Sequence, residues 1–274
     1  MTDKPGRLVV VGTGINIAGQ CTLMAKSRIE TADHVFTLAT PVIAEWLTTL
    51  NPKVSDLRAH YDYANGKDRL DSYRGMVADL VAAVRAGENV VAAFYGHPGV
   101  FACVGHWAIE QLRGEGYEAW MEPGVSAEDC LVADLGLDPG ARGCLSYEAT
   151  HFMLYDCPMD ASALLILWQI GIAGDHTRTT RFATPERLAV LVDLLSRAYP
   201  QSHEVIAYEA PVLTPFETAR IDRFALADLP KAQLTATTTL VIPPATGKTK
   251  RPGMAETLAA LIATEPAWPE ATQA

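Results

Sequence analysis

No stretch of this sequence is apolar for long enough to cross a membrane, and the apolar run near its beginning covers only Leu8–Val11. A membrane span or a secretory signal is therefore not expected. Positive charge is also in short supply: 22 Lys and Arg stand against 32 Asp and Glu, for a formal charge of −10. Nucleic acid is thus not the default partner, because neutralising phosphates takes a basic face, although a local basic pocket is compatible with this balance. Cysteine is sparse. The five residues Cys21, Cys103, Cys130, Cys144 and Cys157 are odd in number and scattered, with no CxxC pair. Neither a disulfide framework nor a zinc or other metal site is expected, and reduced thiols in a cytoplasmic protein fit the pattern. Low-complexity tracts and internal repeats are missing as well.

What remains is ordinary globular composition, 49% hydrophobic over 274 residues, enough for two domains or one large one. The chain is organised around FYGHPGVF, Phe94–Phe101. A buried strand, Asn89–Tyr95, breaks into the turn Gly96-His97-Pro98-Gly99 and passes into a helix from about Phe101 to Glu115. In open α/β sheets such a junction lies at the carboxyl edge, where ligands bind. By itself it reads as an ordinary strand-to-helix connection; His97 inside the turn and Tyr95 beside it add chemistry.

Similar junctions recur. Leu8–Val11 runs into Gly12-Thr13-Gly14, and a helix is expected over Ile17–Thr31. The third glycine, Gly19, falls two positions late for a dinucleotide fingerprint, so the motif reads as a generic tight turn and a NAD-dependent dehydrogenase is disfavoured. Tyr117–Met121 is a strand followed by Pro123-Gly124-Val125-Ser126-Ala127, with Ser126 suited to cap a helix reaching Leu135. Between these units, Arg58–Asp68 is a polar loop bearing Tyr61 and Tyr63. It precedes an amphipathic helix, Leu70–Arg85, with Tyr73, Met76, Val77, Leu80, Val81 and Val84 at helical spacing. Arg69 lies four residues before Tyr73 and can share its face. On pattern alone, Tyr73 is a core aromatic and Arg69 a solvated charge. In the second half, Leu164–Trp168, Glu204–Tyr208 and Thr237–Ile242 are strands, Pro185–Tyr199 is a helix, and Gln169–Gly174 is a small-residue stretch open to close backbone approach. Met254–Thr264 fits a further helix.

Taken in order, GTG at 12–14, YGHPG at 95–99, PGVSA at 123–127 and WQ at 168–169 resemble the tetrapyrrole methylase superfamily of S-adenosylmethionine-dependent enzymes. That resemblance implies two αβα domains with the cofactor between them, here residues 1–118 and 119–246, followed by a tail over 247–274. The superfamily usually carries Asp in the central turn, where this chain has His97. With YGHPGVF, PGVSAEDCLVADLG at 123–136 and the Arg69/Tyr73 pair below a tyrosine-bearing loop, the chain is similar to the borosin peptide α-N-methyltransferases, which methylate backbone amides of a ribosomally made precursor.

The chemistry agrees with those residue types. An amide nitrogen is a poor nucleophile because its lone pair is delocalised into the carbonyl. Methylating it requires removal of the N–H proton or stabilisation of the imidate oxygen in an aligned complex. A phenol of ordinary pKa near 10 is weakly ionised at neutral pH, and a guanidinium beside a phenol lowers that value. The resemblance therefore implies Tyr73 as base, Arg69 as its activator or oxyanion partner, and Tyr61, Tyr63 and Tyr95 as groups positioning the amide. It implies S-adenosylmethionine contacts at Gly96, His97, Val100, Phe101, Ser126 and Ala127, and at Gln169, Tyr208 and Thr239 from the second domain. A homodimer is implied by the resemblance alone, and a separate precursor peptide is expected as substrate: the tail EPAWPEATQA has two prolines, which carry no N–H to methylate, and no apolar run like a methylatable core. The rival readings are a corrinoid or other tetrapyrrole methyltransferase, a ribosomal RNA methyltransferase, and a non-catalytic relative.

Overall fold

The computed structural model describes residues 5–17, 19–62, 67–177 and 182–264. Among these, the first half alternates strand and helix. Its strands are β1 (Arg7–Gly12), β2 (His34–Leu38), β3 (Val54–Asp56), β4 (Asn89–Phe94) and β5 (Glu118–Met121). The helices between them are α1 (Leu23–Thr31), α2 (Pro41–Leu50), α3 (Arg69–Arg85) and α4 (Cys103–Gly114). The sheet is wholly parallel, in the order β3-β2-β4-β1-β5. Its strands are apolar on both faces, as a covered parallel sheet requires. Leu8, Val10, Val90, Ala92 and Phe94 pack with α3 and α4, while Val9, Val11, Val91 and Ala93 pack with α1 and α2. Each buried Val or Leu side chain among them contributes about 1.5–3 kcal/mol.

The second half begins with α5 (Ala127–Leu135) and a single helical turn, α6 (Pro139–Arg142). It continues through β6 (Cys144–Glu148), α7 (Ala149–Leu154), β7 (Leu164–Trp168), α8 (Pro185–Leu195), β8 (Glu204–Glu209), β9 (Arg220–Ala225) and β10 (Thr239–Ile242), and then α9 (Met254–Ile262). Its sheet is mixed, in the order β6-β7-β10-β8-β9, with only β6 and β7 parallel. One face packs on α7 and α8. The other buries Leu164, Ile166, Trp168, Ile206, Tyr208 and Val241 against α5 and against Ile15, which comes from the loop after β1. That second layer is where the two halves meet. β5 is hydrogen-bonded to β1, so the chain leaves the first sheet after Met121, three residues beyond the division expected at 118. It reaches the second sheet at α5.

Two differences from the sequence expectations have local causes. α1 starts at Leu23 rather than Ile17 because the Gln20 side-chain carbonyl accepts from both Ile15 N (2.8 Å) and Asn16 N (2.9 Å), holding the segment in a turn. Thr22 then caps the helix through Ala25 N (3.0 Å). β6 and β9 carry no usable apolar pattern, since their residues are half-exposed or exposed, and α7 is only six residues long, too short to show helical periodicity. The small-residue stretch after β7 does admit another backbone: a Cβ at Gly171 would occupy the place of the Thr235 carbonyl. No helix among the described residues is long and apolar enough to cross a membrane.

Strand order fixes where a ligand can enter. β2 sends its connection outward to the edge strand β3 through α2, whereas its neighbour β4 sends its own the other way, across β1 to β5, through α4. Adjacent strands whose connections diverge leave a crevice at their carboxyl ends. The glycine turns after β1, β4 and β5 all lie at that edge, and their backbones touch. A Cβ on Gly124 would lie 2.9 Å from Gly12 Cα and 3.0 Å from Gly96 O, and one on Gly12 would meet the same Gly96 carbonyl. We therefore expect Gly124→Ala to lower stability by about 1–3 kcal/mol, the range for forced overpacking. Gly114→Ala, with nothing within 4 Å of the added methyl, should shift it by less than about 1 kcal/mol. Urea denaturation of the two variants checks this, and equal losses would contradict the contact.

Candidate active site

Each of the three turns is held by its own hydrogen bonds as well as by the glycine contact. Thr13 is buried; its amide donates to Phe94 O (2.8 Å) and its hydroxyl lies 3.2 Å from the same oxygen. Gly96 N donates to Gly14 O (2.8 Å), with φ of +69° at Gly96 and +73° at Gly14, a conformation that glycine adopts without strain. In the third turn, Ser126 caps α5 reciprocally: its hydroxyl accepts from Asp129 N (3.2 Å) while Asp129 Oδ2 accepts from Ser126 N (2.7 Å). The Ser126 side chain is thus engaged in its cap, leaving the partly buried Ala127 to give the turn its small surface.

The central turn faces the second sheet. His97 Nδ1 accepts from Gly99 N (3.1 Å), which fixes the ring across the turn. Val100 and Phe101 are apolar yet 43% and 54% exposed. Phe101 holds φ at +51°, and Gln169, directly after β7, holds +57°; they are the non-glycine residues in the left-handed region among those described. Each costs on the order of 1–2 kcal/mol. The two are close, because the Phe101 ring lies 5.8 Å from that of Trp168. Strain and exposed apolar surface concentrated at one place make this a candidate ligand site. Tyr208 and Thr239 pair across β8 and β10, both buried. The Tyr208 hydroxyl donates to Asp134 Oδ2 (2.7 Å), so its side chain braces α5 against the sheet.

Of the expected catalytic group, Tyr61 and Tyr73 come together, with Tyr95 within electrostatic reach of Tyr73. Tyr61 and Tyr73 meet edge-on at 6.2 Å, and Tyr73 meets Trp107 at 6.5 Å. Tyr95 joins them electrostatically: burial raises its phenol pKa and Tyr73 raises it further, although the residue as a whole keeps 48% of its surface. A phenol so raised stays protonated and acts as a hydrogen-bond donor rather than a base. Arg69 is the first residue of α3, one turn before Tyr73. Tyr63 lies outside the described residues. Since Tyr95 immediately precedes Gly96, the aromatic cluster adjoins the glycine turns.

Sequence reasoning left Gly12, Gly14, Gln20 and Trp168 out of the site. GTG at the end of β1 was a visible signal; the bond from Gln20 Nε2 to Cys130 Sγ (3.2 Å), which ties the β1 turn to α5, was not. A cavity of about 330 Å³ lies away from the turns, lined by Val77, Val81 and Trp107 with Arg74 and Arg85. It contains no backbone strain and none of the converging turns, so the chemistry is assigned to the turns instead.

The chain belongs to the tetrapyrrole (corrin/porphyrin) methylases, whose family pattern matches residues 7–223. It is 41% identical over 246 residues to the methyltransferase/ribosomally synthesized cyclic peptide dendrothelin A precursor of Dendrothele bispora, covering 88% of this chain and 58% of that protein. The omphalotin A precursor of Omphalotus olearius, also named a methyltransferase, is 41% identical with the same coverage. The chain thus spans 58% of the length of these two curated relatives. In structure it resembles the uroporphyrin-III-C-methyltransferase from Thermus thermophilus, with a TM-score of 0.63 and 20% identity over 87% of this chain and 92% of that one. This likeness supports the two-sheet fold.

Burial, reinforced by Asp134, raises the Tyr208 phenol well above its ordinary value. A group that holds its proton more tightly when folded contributes stability that is present below the ordinary phenol pKa of about 10 and is lost as pH rises above it. Chemical denaturation between about pH 8 and about pH 11 should show that loss, with a shallower decline in Tyr208→Phe. Parallel declines would contradict it.

Proposed function

We propose that this protein is an S-adenosylmethionine-dependent methyltransferase that modifies backbone amide nitrogens of a separate, ribosomally made precursor peptide. The observation that carries the reading is the edge-on meeting of Tyr61 and Tyr73, with Tyr95, within electrostatic reach of Tyr73, leading directly into the three-glycine junction. The names of the relatives, which pair a methyltransferase with a peptide precursor, support the substrate class. The cofactor fits the residues present: exposed Val100 and Phe101 offer apolar surface for an adenine, Gly96 keeps the turn tight enough to leave room beside it, the partly buried Ala127 adds little bulk, and Gln169 offers an amide. S-Adenosylmethionine, when bound, supplies an electrophilic methyl group and leaves as S-adenosylhomocysteine. Thr239 and Tyr208 shape the floor of that site from the second sheet, and His97 and Ser126 hold its turns in place. The units 1–118 and 119–246 then serve as tyrosine-bearing and cofactor-completing parts.

The chain's own residues handle the amide. Tyr95, kept protonated, donates to the substrate carbonyl and orients it. Tyr73 takes the N–H proton on its phenolate oxygen, which returns the nitrogen lone pair to reactivity. Arg69 offsets the negative charge, on Tyr73 before transfer and on the imidate oxygen during it. Tyr61 closes the aromatic wall that excludes water, and Tyr63 shares with it the task of positioning the amide. A homodimer is part of this reading, supported by the exposed apolar residues Met254, Leu258, Leu261 and Ile262 on one side of α9. The free thiols support a cytoplasmic setting.

Purified protein stripped of cofactor, given S-adenosylmethionine and a Val/Ile/Ala-rich peptide, should add methyl groups that fragmentation mass spectrometry places on backbone nitrogens. Tyr73→Phe should lower single-turnover rates by at least about 100-fold, the lower bound for a lost acid–base group. Its S-adenosylmethionine affinity by calorimetry should be unchanged. Near-wild-type turnover would return Tyr73 to a packing role, and methyl groups found within Lys250–Ala274 would place the acceptor on this chain. Light scattering should give twice the chain mass, and a monomer would contradict the dimer.

A further inference from the structure

We propose that His60 is a positioning residue for this site: seated on the bare backbone of Gly75 and held by Asp79, it fixes the tyrosine loop against α3. The proposal rests on the reading of Tyr61 and Tyr73 given above. His60 ends a short 3-10 helix, Leu57–His60, immediately before Tyr61. Its Nε2 lies 2.6 Å from Asp79 Oδ2, and its side chain is 26% exposed. A Cβ on Gly75 would sit 2.5 Å from His60 Nδ1 and 2.9 Å from Cε1, so the imidazole lies where a side chain at position 75 would begin. Glycine is the least favourable residue after proline in a helix interior, and this contact supplies a reason for it in the middle of α3.

The backbone of His60 is held from the same helix face. Ser72 Oγ donates to His60 O (3.0 Å), and Lys67 Nζ reaches the same oxygen (3.0 Å). Ser72, Gly75 and Asp79 are spaced by three and four, which aligns them on one side of α3. Tyr61 N donates to Arg58 O (3.0 Å) and Lys67 N to Asp62 O (3.2 Å), closing the base of the loop on both sides. Tyr73 lies on the adjoining face and meets Tyr61 edge-on. The clamp therefore sets the distance between Tyr61 and the helix carrying Arg69 and Tyr73, without touching the amide itself.

The test is a double-mutant cycle of His60→Ala and Gly75→Ala, read in two ways. In hydrogen exchange on the protein alone, each variant should lose protection at the Tyr61 and Lys67 amides, and the double variant should lose no more than the worse single one. In peptide methylation, each should lower kcat/KM for the peptide by about 10- to 100-fold, the scale of a small misplacement of reacting groups. S-Adenosylmethionine affinity and the thermal midpoint should stay near wild type. Asp79→Asn, which keeps an acceptor for the ring, should retain more turnover than Asp79→Ala. Losses that multiply, unchanged exchange, or a kcat/KM drop explained by a lower thermal midpoint would overturn the proposal. A wild-type protein that transfers no methyl would instead overturn the reading of the site, while the exchange cycle still decides whether the clamp exists.

Discussion

Three main-chain segments share a space that no side chain could enter: Gly12, Gly96 and Gly124 stand backbone to backbone at the carboxyl edge of the first sheet. The contact arises because β4, β1 and β5 are adjacent in the parallel order β3-β2-β4-β1-β5, so their exits fall side by side. Interiors packed this closely accommodate an added methyl poorly. Other features of the site depend on that closeness. Gly96 N can reach Gly14 O only because the turns touch, and Ile15, carried by the first turn, is thereby placed to enter the core beneath the second sheet.

The two halves of the molecule are joined through that same corner. Gln20 holds the Ile15 and Asn16 amides with its carbonyl and reaches Cys130 on α5 with its amide, while Tyr208 braces α5 through Asp134. A polar side chain bridging two layers is effective here because its partners are partly buried, where a hydrogen bond is less exposed to competition from water. Against this rigid base stand Phe101 and Gln169, whose backbone conformations are unfavourable in isolation. Such residues persist where the surroundings over-determine them. Rigidity below and strain above are the arrangement expected of a site that positions a ligand rather than one that moulds itself around it.

Much of the first half was legible in the sequence because its signals are local. GTG, YGHPG and PGVSA each follow an apolar run and each became a strand-end turn, and the stripe Tyr73, Met76, Val77, Leu80, Val81 and Val84 became α3. Their convergence was not legible, since strand order depends on contacts between residues some eighty or more positions apart, such as Gly12 with Gly96. The second half was harder for a different reason. β9 alternates only weakly and is mostly exposed, and β6 is half-exposed at nearly every position, so neither presents the apolar run that marks a buried strand. His60 and Asp79 escaped notice because a polar pair nineteen residues apart resembles any two solvated residues until the helix and loop are placed together.

The central claim is that these three turns together form one cofactor cleft, and hydrogen exchange with and without S-adenosylmethionine tests it most directly. The account predicts that the cofactor slows exchange together at Thr13–Ile15, at Tyr95–Phe101 and at Val125–Ala127, with a smaller effect at Gln169. Protection confined to a single turn, or appearing instead around Val77, Val81 and Trp107, would contradict it.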